Sequence, residues 1–156
     1  MNSVIINNDD HCMPSWSENA RCFALKVLGE IKIENWELSI LFCGDKTIKK
    51  LNLQYRNKNE STDILSFNLG ETIQNEGKTV YLPGDIVISL ETLQKNAEYF
   101  QISEDEELRR LLIHGILHLD GMNHETIDTK EPMLVLQEEI LNKLKTEYII
   151  PPGGKN

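Results

Sequence analysis

Residues 111–125 read LLIHGILHLDGMNHE, and this segment narrows the available folds more than any other. His114 and His118 lie four apart, which puts two imidazoles on one face of a helix about a turn from each other. Leu108, Leu111, Leu112, Leu117 and Leu119 cover much of the remaining circumference, so the helix is expected to be buried. Ser103 and Glu106 form a capping-box pattern that would start it. Gly121 stands where a left-handed residue would end it. His124 follows three residues later, far enough for the chain to fold back and bring a third imidazole to the same point.

Three neutral imidazoles and a water make a catalytic zinc site with one open position. The spacing H-x-x-x-H-x-x-G-x-x-H matches the ligand spacing of metzincin metalloproteases. A single buried histidine is more often a hydrogen-bonded core residue. Here three of the chain's four histidines fall within eleven residues with the glycine in place, which selects one zinc ion per chain on His114, His118 and His124. A purely structural zinc would usually recruit cysteine and four protein ligands. Metalloproteases of that class carry a glutamate general base directly after the first histidine, and here that position is Gly115. Glycine takes no proton from bound water, and inside a helix it costs about 1 kcal/mol relative to alanine. Either a substrate or backbone approaches closely there, or the helix packs tightly on a sheet. Peptide hydrolysis by the usual route is disfavoured in both cases.

Elsewhere the apolar patterning predicts alternating elements. Strands are expected at 3–6, 36–42, 63–69 and 85–90, the last a β-branched run typical of a buried strand. Helices are expected from a Ser15/Glu18 capping box to about Gly29, from an N-cap at Asp45 onward, and at 91–100, 104–120 and 132–145. Residues 70–78 are polar and glycine-bearing and read as a mobile loop, and Pro83-Gly84 reads as a turn. The order β-α-β-α-β-β-α-α-α implies an α+β fold. It has one mixed, mostly parallel four-stranded sheet, covered by about five helices and carrying a zincin-like metal site. Residues 1–150 form one domain, and 151–156 a disordered tail.

Net charge is −9 and the pI near 4.9, which argues against non-specific coating of nucleic acid. The charge is uneven. Lys46, Lys49, Lys50, Arg56 and Lys58 face one acid, Asp45, whereas Glu98, Glu104, Asp105, Glu106 and Glu107 run without a base. The acidic run reads as a solvated helix face. Cys12, Cys22 and Cys43 show no metal-ligand spacing and read as reduced thiols of a cytoplasmic protein. No secretion signal and no membrane-spanning stretch are expected.

The string HGILHLDGMNH resembles the signature of the YbeY family, approximately H-G-x-L-H-L-x-G-Y-D-H. Two further blocks are similar to that family's: YRNK at 55–58 with STDILSF at 61–67, and GDIVIS at 84–89. The three stand in family order. The resemblance implies a single-strand-preferring, metal-dependent endoribonuclease of rRNA maturation, notably of small-subunit 16S rRNA, and of ribosome quality control. Its implied partners are ribosomal RNA and the small subunit, with a ribosomal protein or an assembly GTPase beside them. The three histidines carry over as catalytic zinc ligands, and Arg56 as the active-site arginine that grips the scissile phosphate. Lys46, Lys49, Lys50 and Lys58 would guide RNA or simply be solvated. Asp63 and Asp85 would bond the ligand imidazoles or cap turns, with the turn role favoured for Asp63. Two departures stand out. Met122-Asn123 replaces Tyr-Asp, so a carboxylate base is missing there unless Glu125 supplies it, and Asn68 replaces a frequent proline. The rival readings are a metalloprotease and a non-catalytic zinc-containing ribosome-assembly factor.

Overall fold

The computed structural model describes residues 1–9 and 13–152, so Cys12 and the last four residues of the expected tail lie outside the described residues. The elements are β1 (Ser3–Asn8), α1 (Ser17–Glu30), β2 (Glu37–Cys43), α2 (Asp45–Arg56), β3 (Ile64–Asn75), β4 (Lys78–Ser89), α3 (Leu90–Phe100), α4 (Glu104–Leu119) and α5 (Pro132–Lys143). The strands make one sheet in the order β1-β2-β4-β3. β1–β2 and β2–β4 are parallel and β3–β4 antiparallel, which is the mixed, mostly parallel sheet expected.

The period of two puts Leu38, Ile40 and Phe42 of β2 and Ile86 and Ile88 of β4 on one face, all fully buried. α1 covers that face with Ala20, Phe23, Ala24, Val27 and Leu28, and α4 with Leu108, Leu112, Ile113 and Ile116. α4 is buried around most of its girth, as its apolar residues predict. The opposite face holds a smaller cluster of Cys43, Ile48, Leu65 and Val87 beneath α2. Cys22 and Cys43 are thiols rather than halves of a disulfide.

Several local expectations are corrected. Residues 70–78 are not a loop. β3 and β4 run twelve residues each and form a long hairpin that turns at Glu76-Gly77. Both turn residues have positive φ, 52° and 78°, the pair a type I′ turn requires. The arm is polar because residues 68–79 are exposed, and its backbone ladder needs no apolar face to hold it. Pro83-Gly84 is not a turn either. It lies inside β4, where the register slips between Asn68↔Gly84 and Glu71↔Leu82, the irregularity that accommodates a proline within a sheet.

Gly84 has φ +138°, and a Cβ built there would fall 1.9 Å from the Phe67 carbonyl oxygen. Gly84→Ala is therefore expected to cost at least about 2 kcal/mol, since backbone rather than a pliable side chain must yield. Urea denaturation measures it, and a loss under about half a kcal/mol would mean that the strand relaxes freely.

Capping differs at two helices. α1 starts at Ser17 with Trp16 at its N-cap and no side-chain cap, and Glu18 pairs with Arg21 instead of closing the expected box. The N-cap of α2 is Gly44. Asp45 is the first helical residue, and its carboxylate accepts from Ser89 Oγ at 2.6 Å, from Thr92 and from Lys95, tying α2 to α3. Ser103 does cap α4, accepting from the Glu106 N–H at 3.0 Å. The acidic run is only partly solvated, because Asp105 and Glu107 are buried. Asp105 dips inward, where Arg109 Nε donates at 2.8 Å and the Ile149 and Ile150 N–H groups donate at 2.7 and 2.8 Å. Burial pushes the Glu107 carboxyl above its ordinary range, with Arg110 pulling the other way.

Candidate metal centre

α4 delivers His114 and His118 to the edge of the sheet and stops one residue past the second. Beyond it the Gly121 N–H donates to the His118 carbonyl and the Met122 N–H to the Leu117 carbonyl, both at 3.0 Å. Gly121 takes the expected left-handed conformation at φ +90°. The reversal returns His124 to the helix end. Ring centroids then lie 4.6 Å (His114–His118), 5.3 Å (His114–His124) and 5.7 Å (His118–His124) apart. One nitrogen from each ring lies within 4.8 Å of the others. A tetrahedral ion with bonds of about 2.0–2.1 Å needs its nitrogens roughly 3.3 Å apart. The Nε2 atoms of His114 and His118 are 3.0 Å apart, close to that spacing.

The protonation pattern suits a cation. The Nδ1 of His124 lies 2.7 Å from the Thr126 carbonyl oxygen, which only accepts, so Nδ1 carries the proton and Nε2 a lone pair. Burial pushes the His114 imidazole below its ordinary range, against a hydrogen bond to Gln137 that raises it. Burial does the same to His118, with His114 and His124 adding to the effect and hydrogen bonds to the Met122 backbone and Asn123 opposing it. Neutral rings are what a metal needs.

Gly115 is explained by packing. A Cβ there would lie 3.0 Å from both Ile64 Cδ1 and Ile86 Cδ1, so at this point the helix rests on the sheet. Of the two readings its position allowed, close contact with the sheet is the one observed.

Beside the histidines opens a cleft of about 470 Å³, lined among others by Arg56, Ser66, Asn68, Tyr81, His114, His118 and Asn123. Arg56 ends α2, where Asn57 caps the helix at φ 57°. Its Nη2 donates to the Ser66 carbonyl at 2.6 Å, and its guanidinium lies 5.5 Å from the centre of the Phe67 ring. Among the described residues no carboxylate pairs with it, so its charge faces the cleft uncompensated. Lys46, Lys49, Lys50 and Lys58 are exposed.

Asp63 accepts from Asn96 at 3.2 Å and acts on His114 only through its charge. Asp85 bonds no ligand imidazole. It precedes the inward Ile86 and faces the other side of the sheet, in a groove with Ser39, Leu41, Tyr55 and Phe67. Glu125 is exposed and does not line the cleft.

One residue was missed by sequence reasoning. Gln137 of α5 is buried, and its Oε1 lies 2.6 Å from His114 Nδ1. The available signal was a polar residue at helical spacing among the core residues Met133, Ile140 and Leu141.

Among known proteins, the family model described as Endoribonuclease YbeY matches residues 5–145. A protein of that name from Treponema denticola is 47% identical over 128 residues, covering 81% of this chain and 83% of its own length. One from Treponema pallidum (strain Nichols) is 43% identical over 142 residues, covering 90% and 89%. One from Borreliella afzelii is 48% identical over 129 residues, covering 81% and 85%. The solution structure of TM1509 from Thermotoga maritima shares the fold, with a TM-score of 0.62, 24% identity and coverage of 98% and 99%.

Proposed function

This chain belongs to the endoribonuclease YbeY family, and on that premise we propose that it is a metal-dependent endoribonuclease that cuts single-stranded RNA. Its proposed role is in rRNA maturation, that of small-subunit 16S rRNA above all, and in ribosome quality control. The metal in this reading is zinc, one per chain, held by the Nε2 atoms of His114, His118 and His124. When bound, zinc lowers the pKa of a coordinated water or polarises a phosphoryl oxygen. Arg56 receives the scissile phosphate and stabilises the charge that develops on it. Asn123 offers amide hydrogen bonds beside His118 but takes no proton. A cleft of this volume has the scale of a small-ligand pocket, which suits one unstacked nucleotide rather than a duplex. The proposed partners are ribosomal RNA and the small subunit in the cytoplasm, with a ribosomal protein or an assembly GTPase alongside. No helix among the described residues is long and apolar enough to cross a membrane.

The observation that carries this reading is the shared cleft: His114 and His118, two of the three converging imidazoles, line it together with the Arg56 guanidinium. A second reading, a zinc-containing assembly factor without catalysis, draws on Asn123, which supplies no carboxylate. Arg56→Ala separates the two. Cleavage of an rRNA fragment is expected to fall about 10²–10³-fold, the scale of losing one donor to transition-state charge. Zinc content and RNA binding should remain. Loss of binding in the variant, with no cleavage by either protein, favours the assembly role.

A further inference from the structure

We infer that Gln137 is a positioning residue for the metal centre: it holds His114 as the tautomer whose Nε2 lone pair faces the other imidazoles, and Glu138 and Arg110 hold Gln137 in the orientation that does so. This rests on the metal reading above.

An amide has two unlike ends, and here each meets a partner that settles which end is which. The Gln137 Nε2 donates to Glu138 Oε2 at 3.1 Å. A carboxylate only accepts, so the NH₂ end must face it. The Oε1 end is left for His114 Nδ1 at 2.6 Å, and since that oxygen also only accepts, Nδ1 must carry the ring proton. Nε2 of His114 is thereby deprotonated and free to ligate.

Glu138 is fixed in turn. Arg110 Nε donates to its Oε2 at 3.0 Å and Arg110 Nη2 to its Oε1 at 3.1 Å, a forked pair. Arg110 is steadied from its own helix, where Nη2 also reaches Glu106 Oε2 at 3.1 Å. Burial works against the Glu138 charge, but hydrogen bonds from Arg110 and Gln137 hold its carboxyl below the ordinary range, so it stays an acceptor. An ion pair at the surface thus decides, through three links, where the proton sits on a metal ligand 23 residues away from Gln137. His124 needs no such chain, because a backbone carbonyl sets its tautomer. At Gln137 a leucine would suit the apolar surroundings, yet it would leave His114 free to protonate either nitrogen.

The test compares Gln137→Leu, Gln137→Glu and Glu138→Gln with the wild type. Zinc affinity is read by chelator competition, and the His114 tautomer by long-range ¹⁵N–¹H correlation in metal-free protein. Gln137→Leu is expected to bind zinc about 10–100-fold more weakly and to lose the pure Nδ1–H signature. Gln137→Glu keeps the acceptor and should restore both. Glu138→Gln, at a half-exposed position that folding tolerates, lets the amide reverse and should give a tautomer mixture. Wild-type zinc affinity in Gln137→Leu, or weakened affinity with the Nδ1–H signature intact, overturns the inference. So does a wild-type His114 protonated on Nε2, a reading that needs no metal. A wild type that binds no zinc overturns the metal reading instead.

Discussion

Alanine at His118 is expected to abolish both metal retention and RNA cleavage while leaving the metal-free protein about as stable as before. In the proposed centre the His118 ring lies 4.6 Å from that of His114 and 5.7 Å from that of His124. Without it only the His114 and His124 imidazoles remain, and two nitrogens do not make a competent zinc site. The ring is only partly buried, so its packing contribution is modest, within about 1 kcal/mol. Metal content by mass spectrometry, cleavage of a structured rRNA fragment and thermal unfolding with and without chelator report the three effects. The wild-type melting temperature should fall on chelation, because metal binds the native state alone, and that of the variant should not respond. A variant that keeps one zinc and still cuts would overturn the ligand set.

Asp105→Ala should be strongly destabilising, at about 3–5 kcal/mol. The carboxylate is 6% exposed and answers three donors: the Arg109 guanidinium, itself 7% exposed, and two backbone N–H groups of the C-terminal segment. Removing it leaves a buried cation and two buried donors unmatched. Arg109 keeps contacts to the Leu144 and Lys145 carbonyls and to the Tyr148 ring, which soften the loss without replacing the charge. Asp105→Asn retains an acceptor and should cost less. Urea denaturation measures both, and hydrogen exchange at Ile149 and Ile150 should rise in proportion. A change below about 1 kcal/mol would show that water replaces the carboxylate.

The two central claims of the sequence, a buried helix with its paired histidines and a mixed sheet, were legible because periodicity and spacing are local. His114, His118 and Gly121 occupy consecutive turns, so helical geometry alone relates them. The hairpin arm was illegible for a physical reason. Exposed on both faces, residues 70–75 and 78–79 show no alternation of apolar and polar residues, and Glu76-Gly77 is a weaker turn signal than Asn-Gly. Asp105 reads as a solvated charge from its neighbours, and only a segment some 45 residues later buries it. Gln137 stands out as a polar residue in a core position, but nothing near it in sequence names His114 as its partner. Arg56 is the opposite case: without the family resemblance it reads as a surface salt bridge, with Glu60 four residues on, and only the structure shows that no carboxylate pairs with it among the described residues.

The strand order has a consequence for how the protein is made. β4 pairs with both β2 and β3, so the sheet's last strand is synthesised by Ser89, ahead of all three histidines of the centre. From that point until Leu119 follows, α1 is the one of the two covering helices already made, and the part of the apolar face of Leu38, Ile40, Phe42, Ile86 and Ile88 that α4 covers stays bare, a condition that favours aggregation of a nascent chain. The same ordering protects the centre. His114, His118 and His124 follow every strand of the sheet in the chain, so the sheet can form first and the imidazoles then converge on a scaffold rather than as a loose string.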